Sequence, residues 1–123
     1  MSGSRKLGAA AEEAVVRYIE EERGWKVLAQ NVSRPWGELD IVAQDQQTLV
    51  CVEVKAGQKG SPLAPEEHFD YRKRQKVERA CGAYAVHHGF AESDCRVDLA
   101  ALEVDGAAGR ARIRYYMNVG RES

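Results

Sequence analysis

Apolar residues recur at helical spacing from about Arg5 to Arg23, where Leu7, Ala11, Ala14, Val15, Tyr18 and Ile19 fall on one stripe. Gly24 stands where a helix commonly stops. The period then shortens. Trp25, Val27 and Ala29 alternate with other residues and predict a strand from Trp25 to about Val32. Ser33-Arg34-Pro35-Trp36-Gly37 reads as a turn, with Pro and Gly as breakers. Two more strands, Gly37–Ala43 and Leu49–Lys55, are joined through Asp45-Gln46-Gln47-Thr48. The stretch from Ala56 to Pro65 is polar and holds Gly and Pro, so it reads as a loop. A second helix is predicted from Pro65 or Phe69 to His88. Val77, Ala80, Cys81, Tyr84, Ala85 and His88 form its stripe, and Gly89 closes it. Final strands are expected at Cys95–Leu102 and Arg112–Met117, separated by an Asp105-Gly106 turn. The order α-β-β-β-α-β-β predicts an α/β sandwich around a mixed central sheet. A length of 123 residues suits a single domain spanning 1–123.

The central hairpin carries the chemistry. With Gln46-Gln47 at its tip, Asp45 faces Thr48, Asp40 faces Glu53 and Glu38 faces Lys55. Alternation puts these last four side chains on one face, with Leu39, Ile41, Ala43, Val50, Val52 and Val54 on the other. A one-residue slip would turn the apolar row to water and is disfavoured. Directly opposed carboxylates, about 4.5–5.5 Å apart, destabilise a sheet. A hard divalent cation between them turns that repulsion into attraction. Two readings stand at this point: a metal site with a lysine beside it, or an ordinary Glu38–Lys55 ion pair with Asp40 and Glu53 solvated.

Composition narrows the classes. Hydrophobic residues at 44% and charged residues at 30% are ordinary for a soluble globular domain. A net charge of −1 excludes a strongly basic, non-specific nucleic-acid binder, so any such contact needs a local patch. No apolar run approaches the roughly 20 residues of a membrane span, and Met1-Ser2-Gly3-Ser4-Arg5-Lys6 lacks a signal peptide's apolar core. The expected location is the cytoplasm, with no membrane partner. Cys51, Cys81 and Cys95 are odd in number and form no CxxC pair, which indicates neither a disulfide framework nor a zinc ribbon. Cys51 and Cys81 read as buried thiols. His87 and His88 point about 100° apart on a helix, which is wrong for shared ligation. Nucleophile elbows, phosphate-cradling glycine loops and repeats are absent.

Asp40 followed by Glu53-Val54-Lys55 fits the PD-(D/E)xK spacing of metal-dependent nucleases. Glu53 and Lys55 point the same way on their strand while Val54 anchors the core. Asp40 and Glu53 are candidate ligands for Mg²⁺ or Mn²⁺, and Lys55 is placed to orient a water or neutralise phosphoryl charge. ExK alone is a weak signal; an opposed Asp in a helix–strand context strengthens it. Beyond the motif, Gly8-Ala9-Ala10-Ala11-Glu12, Asn31, Gly37-Glu38-Leu39-Asp40, Val52-Glu53-Val54-Lys55, Lys73 with Ala80, and Arg96-Val97-Asp98 occur in order. On these residues the chain resembles the YraN-like family, small bacterial proteins related to Holliday-junction-resolvase-type nucleases.

The resemblance implies a restriction-endonuclease-like α/β sandwich, with a mixed five-stranded sheet flanked by helices. It also implies a core site of Asp40, Glu53 and Lys55, joined by Glu12 as the helix glutamate that completes the metal site in resolvase-type relatives. Glu38 is a candidate water-mediated ligand. Glu12 flanks the apolar stripe beside Ala11 and Val15, which suits a place at the rim between helix and sheet, or a solvated one. Two departures from the family pattern bear on substrate engagement. Ala56-Gly57 follows Lys55 where a hydroxyl residue and arginine are usual, and the loop to Pro65 replaces a short aromatic-Gly segment.

Arg72, Lys73, Arg74, Lys76 and Arg79 make the one dense basic run. It is either a solvated helix face or a phosphate contact, with Lys73, Lys76 and Arg72 as the candidate DNA-binding residues. Arg96 and Asp98 share a strand face and are expected to pair structurally. The function expected is metal-dependent phosphodiester hydrolysis, with branched or structured DNA implied by the resemblance alone. The rivals are a non-catalytic nucleic-acid-binding or protein-interaction module and a subunit of a larger assembly. Two-fold symmetric junctions further imply a homodimer, for which Tyr115-Tyr116-Met117 offers apolar surface.

Overall fold

A computed structural model describes residues 2–120; residue 1 and residues 121–123 of the expected 1–123 domain lie outside the described residues. Helix α1 (Ser2–Tyr18) runs into a π-helical turn at Ile19–Arg23. Gly24, at φ 70°, closes it by donating its N–H to the Ile19 carbonyl, a left-handed cap that glycine adopts without strain. Strands β1 (Lys26–Arg34), β2 (Gly37–Asp45) and β3 (Thr48–Gln58) follow as a meander. A 3₁₀ turn at Pro65–His68 leads into α2 (Tyr71–His87), then come β4 (Cys95–Asp105) and β5 (Arg110–Tyr116).

The five strands lie in sequence order, β1-β2-β3-β4-β5. All neighbours are antiparallel except β3 and β4, which run parallel from Leu49–Cys95 to Gln58–Val104. That one parallel pair requires a crossover, and α2 provides it. The helices cover opposite faces. Val15 of α1 and Ile19 of the π-helical turn pack on Ile41, Ala43, Val50, Val52 and Ala100. Val77, Ala80, Cys81, Tyr84 and Ala85 of α2 pack on Val42, Leu49, Cys51, Val97 and Leu99. This is the expected α/β sandwich, with Cys51 and Cys81 buried as expected. No helix among the described residues is long and apolar enough to cross a membrane.

Asp70 caps α2, accepting the Lys73 N–H at 3.0 Å. The turn before it is tied to the edge strand by Arg114, which donates to both Glu66 carboxylate oxygens at 2.5 and 3.0 Å. The turn after β1 is seated differently. Gly37 has φ 147°, and a Cβ there would stand 2.8 Å from the Ala80 Cβ of α2. Glycine alone lets the Pro35-Trp36-Gly37 corner lie against the helix.

Three expectations need correction. The stretch expected as a loop from Ala56 begins as strand: β3 continues to Gln58 because β4 supplies a pairing partner as far as Val104. Leu39 was expected with Ile41 on the α1 face, but it packs in the α2-side core. Its β1 neighbour Val32 joins it there, next to Asn31 at φ 52°, where regular strand alternation is interrupted. Tyr115 is only partly exposed: it packs against the α1-side core and donates its hydroxyl to Asp98 at 2.7 Å, while Tyr116 and Met117 are exposed.

Candidate metal centre

The hairpin register matches the expected one. Pairing runs from Asp45–Thr48 to Ile41–Val52, and Gln46 adopts φ 57° to make the tight turn. One step further the ladder gives way to a side chain. The Asp40 carboxylate accepts the Val54 N–H at 2.9 Å, so it is held to β3 while Glu53 extends beside it. The two carboxyl groups lie close enough to interact electrostatically. Lys55 Nζ lies 3.2 Å from Glu53 Oε2. The ion pair is therefore Lys55–Glu53, not the Lys55–Glu38 alternative.

Burial sets the electrostatics of this pair. Desolvation, with Asp40's charge added, pushes the Glu53 carboxyl up to about 7, against the pull of Lys55. Asp40 is raised as well, again chiefly by burial, while the Val54 N–H and Lys55 draw it back and Glu38 adds to the rise. Glu12 is raised by its own partial burial and then by Asp40's charge, offset by a hydrogen bond with Asn31. Glu12 thus reaches the same electrostatic environment from α1. Raised carboxyl groups in a cleft mark candidate functional sites.

A cleft of about 530 Å³ opens on this face, and Trp36, Glu38, Asp40 and Glu53 lie along it with Lys73, Lys76 and Arg79 on the facing helix. Of the three candidate DNA-binding cations, Lys73 and Lys76 line the cleft. Arg72 is not part of the lining, since it is turned about 100° from Lys73 around the helix. Arg79, one turn after Lys76, takes its place. Arg74 is occupied locally, donating to the Phe69 carbonyl at 3.2 Å. Trp36 was read only as part of a turn; its aromatic character beside Pro and Gly was the available signal.

Among the described residues no three His, Cys, Asp or Glu side chains close on a common metal-ligating point. The chain presents a carboxylate pair with a third carboxylate nearby. That donor set fits Mg²⁺ or Mn²⁺, hard cations that take oxygen ligands; Mg²⁺ in particular keeps several waters and is commonly held by one or two carboxylates plus substrate phosphates. It does not fit zinc, which prefers nitrogen and sulfur. Away from the cleft, Arg96 pairs with Asp98 at 3.1 Å as a structural contact, as expected.

Fold and site together define an α/β protein with a mixed five-stranded sheet and a D…ExK carboxylate cluster where two central strands part. The chain belongs to the uncharacterised protein family UPF0102, the YraN family, whose model matches residues 11–102. It is 31% identical over 116 residues to a UPF0102 protein of Marinobacter nauticus, covering 94% of this chain and 93% of the relative. A relative from Symbiobacterium thermophilum is 33% identical over 115 residues, with 94% and 96% covered. One from Synechococcus sp. is 40% identical over 106 residues, with 80% and 76% covered.

Proposed function

We propose that this chain is a metal-dependent nuclease that hydrolyses phosphodiester bonds in DNA, with branched or otherwise structured DNA as its substrate. The observation that carries the reading is the half-buried Asp40–Glu53 pair with Lys55 at 3.2 Å, facing three cations across one cleft. Burying two carboxylates together costs stability unless a cation is to be held there. Asp40 and Glu53 would hold Mg²⁺ or Mn²⁺, with Glu12 and Glu38 as outer contributors. Such an ion supplies a water of lowered pKa and screens the phosphate. Lys55 reaches the same point and stabilises charge developing on the phosphoryl oxygens. Lys73 and Lys76 fix the position of the backbone phosphates, which sets register without reading sequence.

The test is a panel of linear, flapped, four-way and single-stranded DNA incubated with Mg²⁺, Mn²⁺ or chelator. The expected result is cleavage that needs the metal and favours the structured substrates. Cleavage that persists in chelator, or no cleavage of any substrate, overturns the reading. The second outcome with binding retained identifies a non-catalytic DNA-binding module.

Lys73→Ala combined with Lys76→Ala should weaken binding to all sequences alike. The slope of log affinity against log salt should flatten by about 1–2, as expected for one or two lost phosphate contacts. Titrations at several salt concentrations check this; an unchanged slope makes the helix a solvated face.

A further inference from the structure

We propose that Trp36 is a stacking platform for a nucleobase that is unpaired at the reaction point, so that the cleft selects DNA with an unstacked base. The proposal rests on the nuclease reading above and adds to it the feature of the substrate that is recognised. The cleft's walls are of two kinds. Lys73, Lys76 and Arg79 suit a phosphate backbone, whereas Pro35 and Trp36 form an apolar, aromatic end in the same space as Asp40 and Glu53. A duplex presents its backbone to a surface and keeps its bases stacked inside. An aromatic ring beside the carboxylates can meet a base only when that base leaves the stack, and base–aromatic stacking is tolerant of sequence.

The ring is held ready for this. Tyr84 meets the indole edge at 80° with centroids 6.4 Å apart. His87 stacks on it at 29° and 6.0 Å. The corner is fixed to α2 by Gly37, whose missing side chain brings the backbone against Ala80. Trp36 packs in part against the α2-side core and stays partly exposed, so some of its ring faces the cleft. The other tryptophan, Trp25, is differently employed. Arg23 and Arg96 lie over its ring at 5.5 and 5.0 Å and Tyr115 meets its edge.

The test compares the affinity of wild type, Trp36→Ala and Trp36→Phe for oligothymidine and for a duplex of equal length, in chelator so that nothing is cut. Trp36→Ala should lose about tenfold on the single strand, the worth of one stacked base, and less than twofold on the duplex. Trp36→Phe should restore most of that loss. Oligothymidine should also quench tryptophan fluorescence in wild type more than in Trp36→Phe. An equal loss on both ligands, or no loss on the single strand, overturns the platform while leaving the nuclease reading in place. Wild type that binds neither ligand overturns both.

Discussion

Glu53→Gln is expected to abolish metal-dependent cleavage and, in chelator, to raise the melting temperature. The two effects have one origin. The folded state holds a proton on Glu53 more tightly than the unfolded chain does, because burial and Asp40 push its carboxyl from 4.5 up to about 7. Between those values the folded state binds more protons, so wild-type stability falls as pH rises through the window and levels off above it. Glutamine carries no charge to desolvate. At pH 8 the variant should be more stable by about 1–3 kcal/mol, on the scale of 1.36 kcal/mol per pKa unit, and the difference should vanish near pH 4.5. Excess Mn²⁺ should reverse the order. It stabilises wild type by mass action, increasingly as the carboxylates ionise, and does little for the variant. Melting curves from pH 4.5 to 8, with chelator or Mn²⁺, check both halves. A variant that melts lower in chelator at pH 8 would make the cluster an ordinary structural ion pair.

Asp98→Ala should destabilise the protein by about 3–5 kcal/mol, the usual consequence of removing one partner of a buried ion pair. Asp98 is the one charged residue in the buried core among the described residues. Its carboxylate accepts from Arg96 Nε at 3.1 Å, the Tyr115 hydroxyl at 2.7 Å and the Asn118 N–H at 2.8 Å. Truncation strands all three donors. Arg96 is the most exposed to this loss: its guanidinium lies over the Trp25 ring at 5.0 Å, its Nη2 is buried without a hydrogen-bond partner, and only Asp45, 3.5 Å from Nη1, would remain to pair it. Asp98→Asn keeps acceptor oxygen but removes the charge, so its cost should be smaller, about 1–3 kcal/mol. Urea unfolding with an unchanged slope measures both; a loss under 1 kcal/mol for the alanine variant shows that the network is replaceable by water.

Elements governed by local pattern were legible in the sequence. The seven main elements appear in the expected order, and the opposed Asp40 and Glu53 follow from alternation and the hairpin register. The turn formed at Gln46-Gln47 despite poor turn chemistry, because slippage would expose the apolar row. What stayed hidden depends on partners distant in the chain. Ala56 and Gly57 are weak strand formers, and only pairing with Leu102 and Glu103 extends β3 through them. Arg114 and Glu66 are separated by 48 positions, and no spacing rule joins them. The left-handed Asn31 was visible as a family residue, but its bond to Glu12 needs both α1 and β1 in place. Helical phase separates Arg79 from Arg72 as a cleft residue once the direction of Lys73 and Lys76 is known.

The outermost strand has a bearing on assembly. Along β5, Arg110, Arg112 and Arg114 project from a single side of the sheet. Arg114 is neutralised by Glu66 and Glu103, but joining that margin to its counterpart in another copy, strand to strand, would still bring the Arg110 and Arg112 guanidinium groups of both together, and like charges disfavour such a seam. The opposite margin, β1, carries a bulge between Val27 and Ala29 and a left-handed kink at Asn31, which spoil it as a template for regular pairing. Both margins are thus poorly suited to end-to-end polymerisation into fibrils.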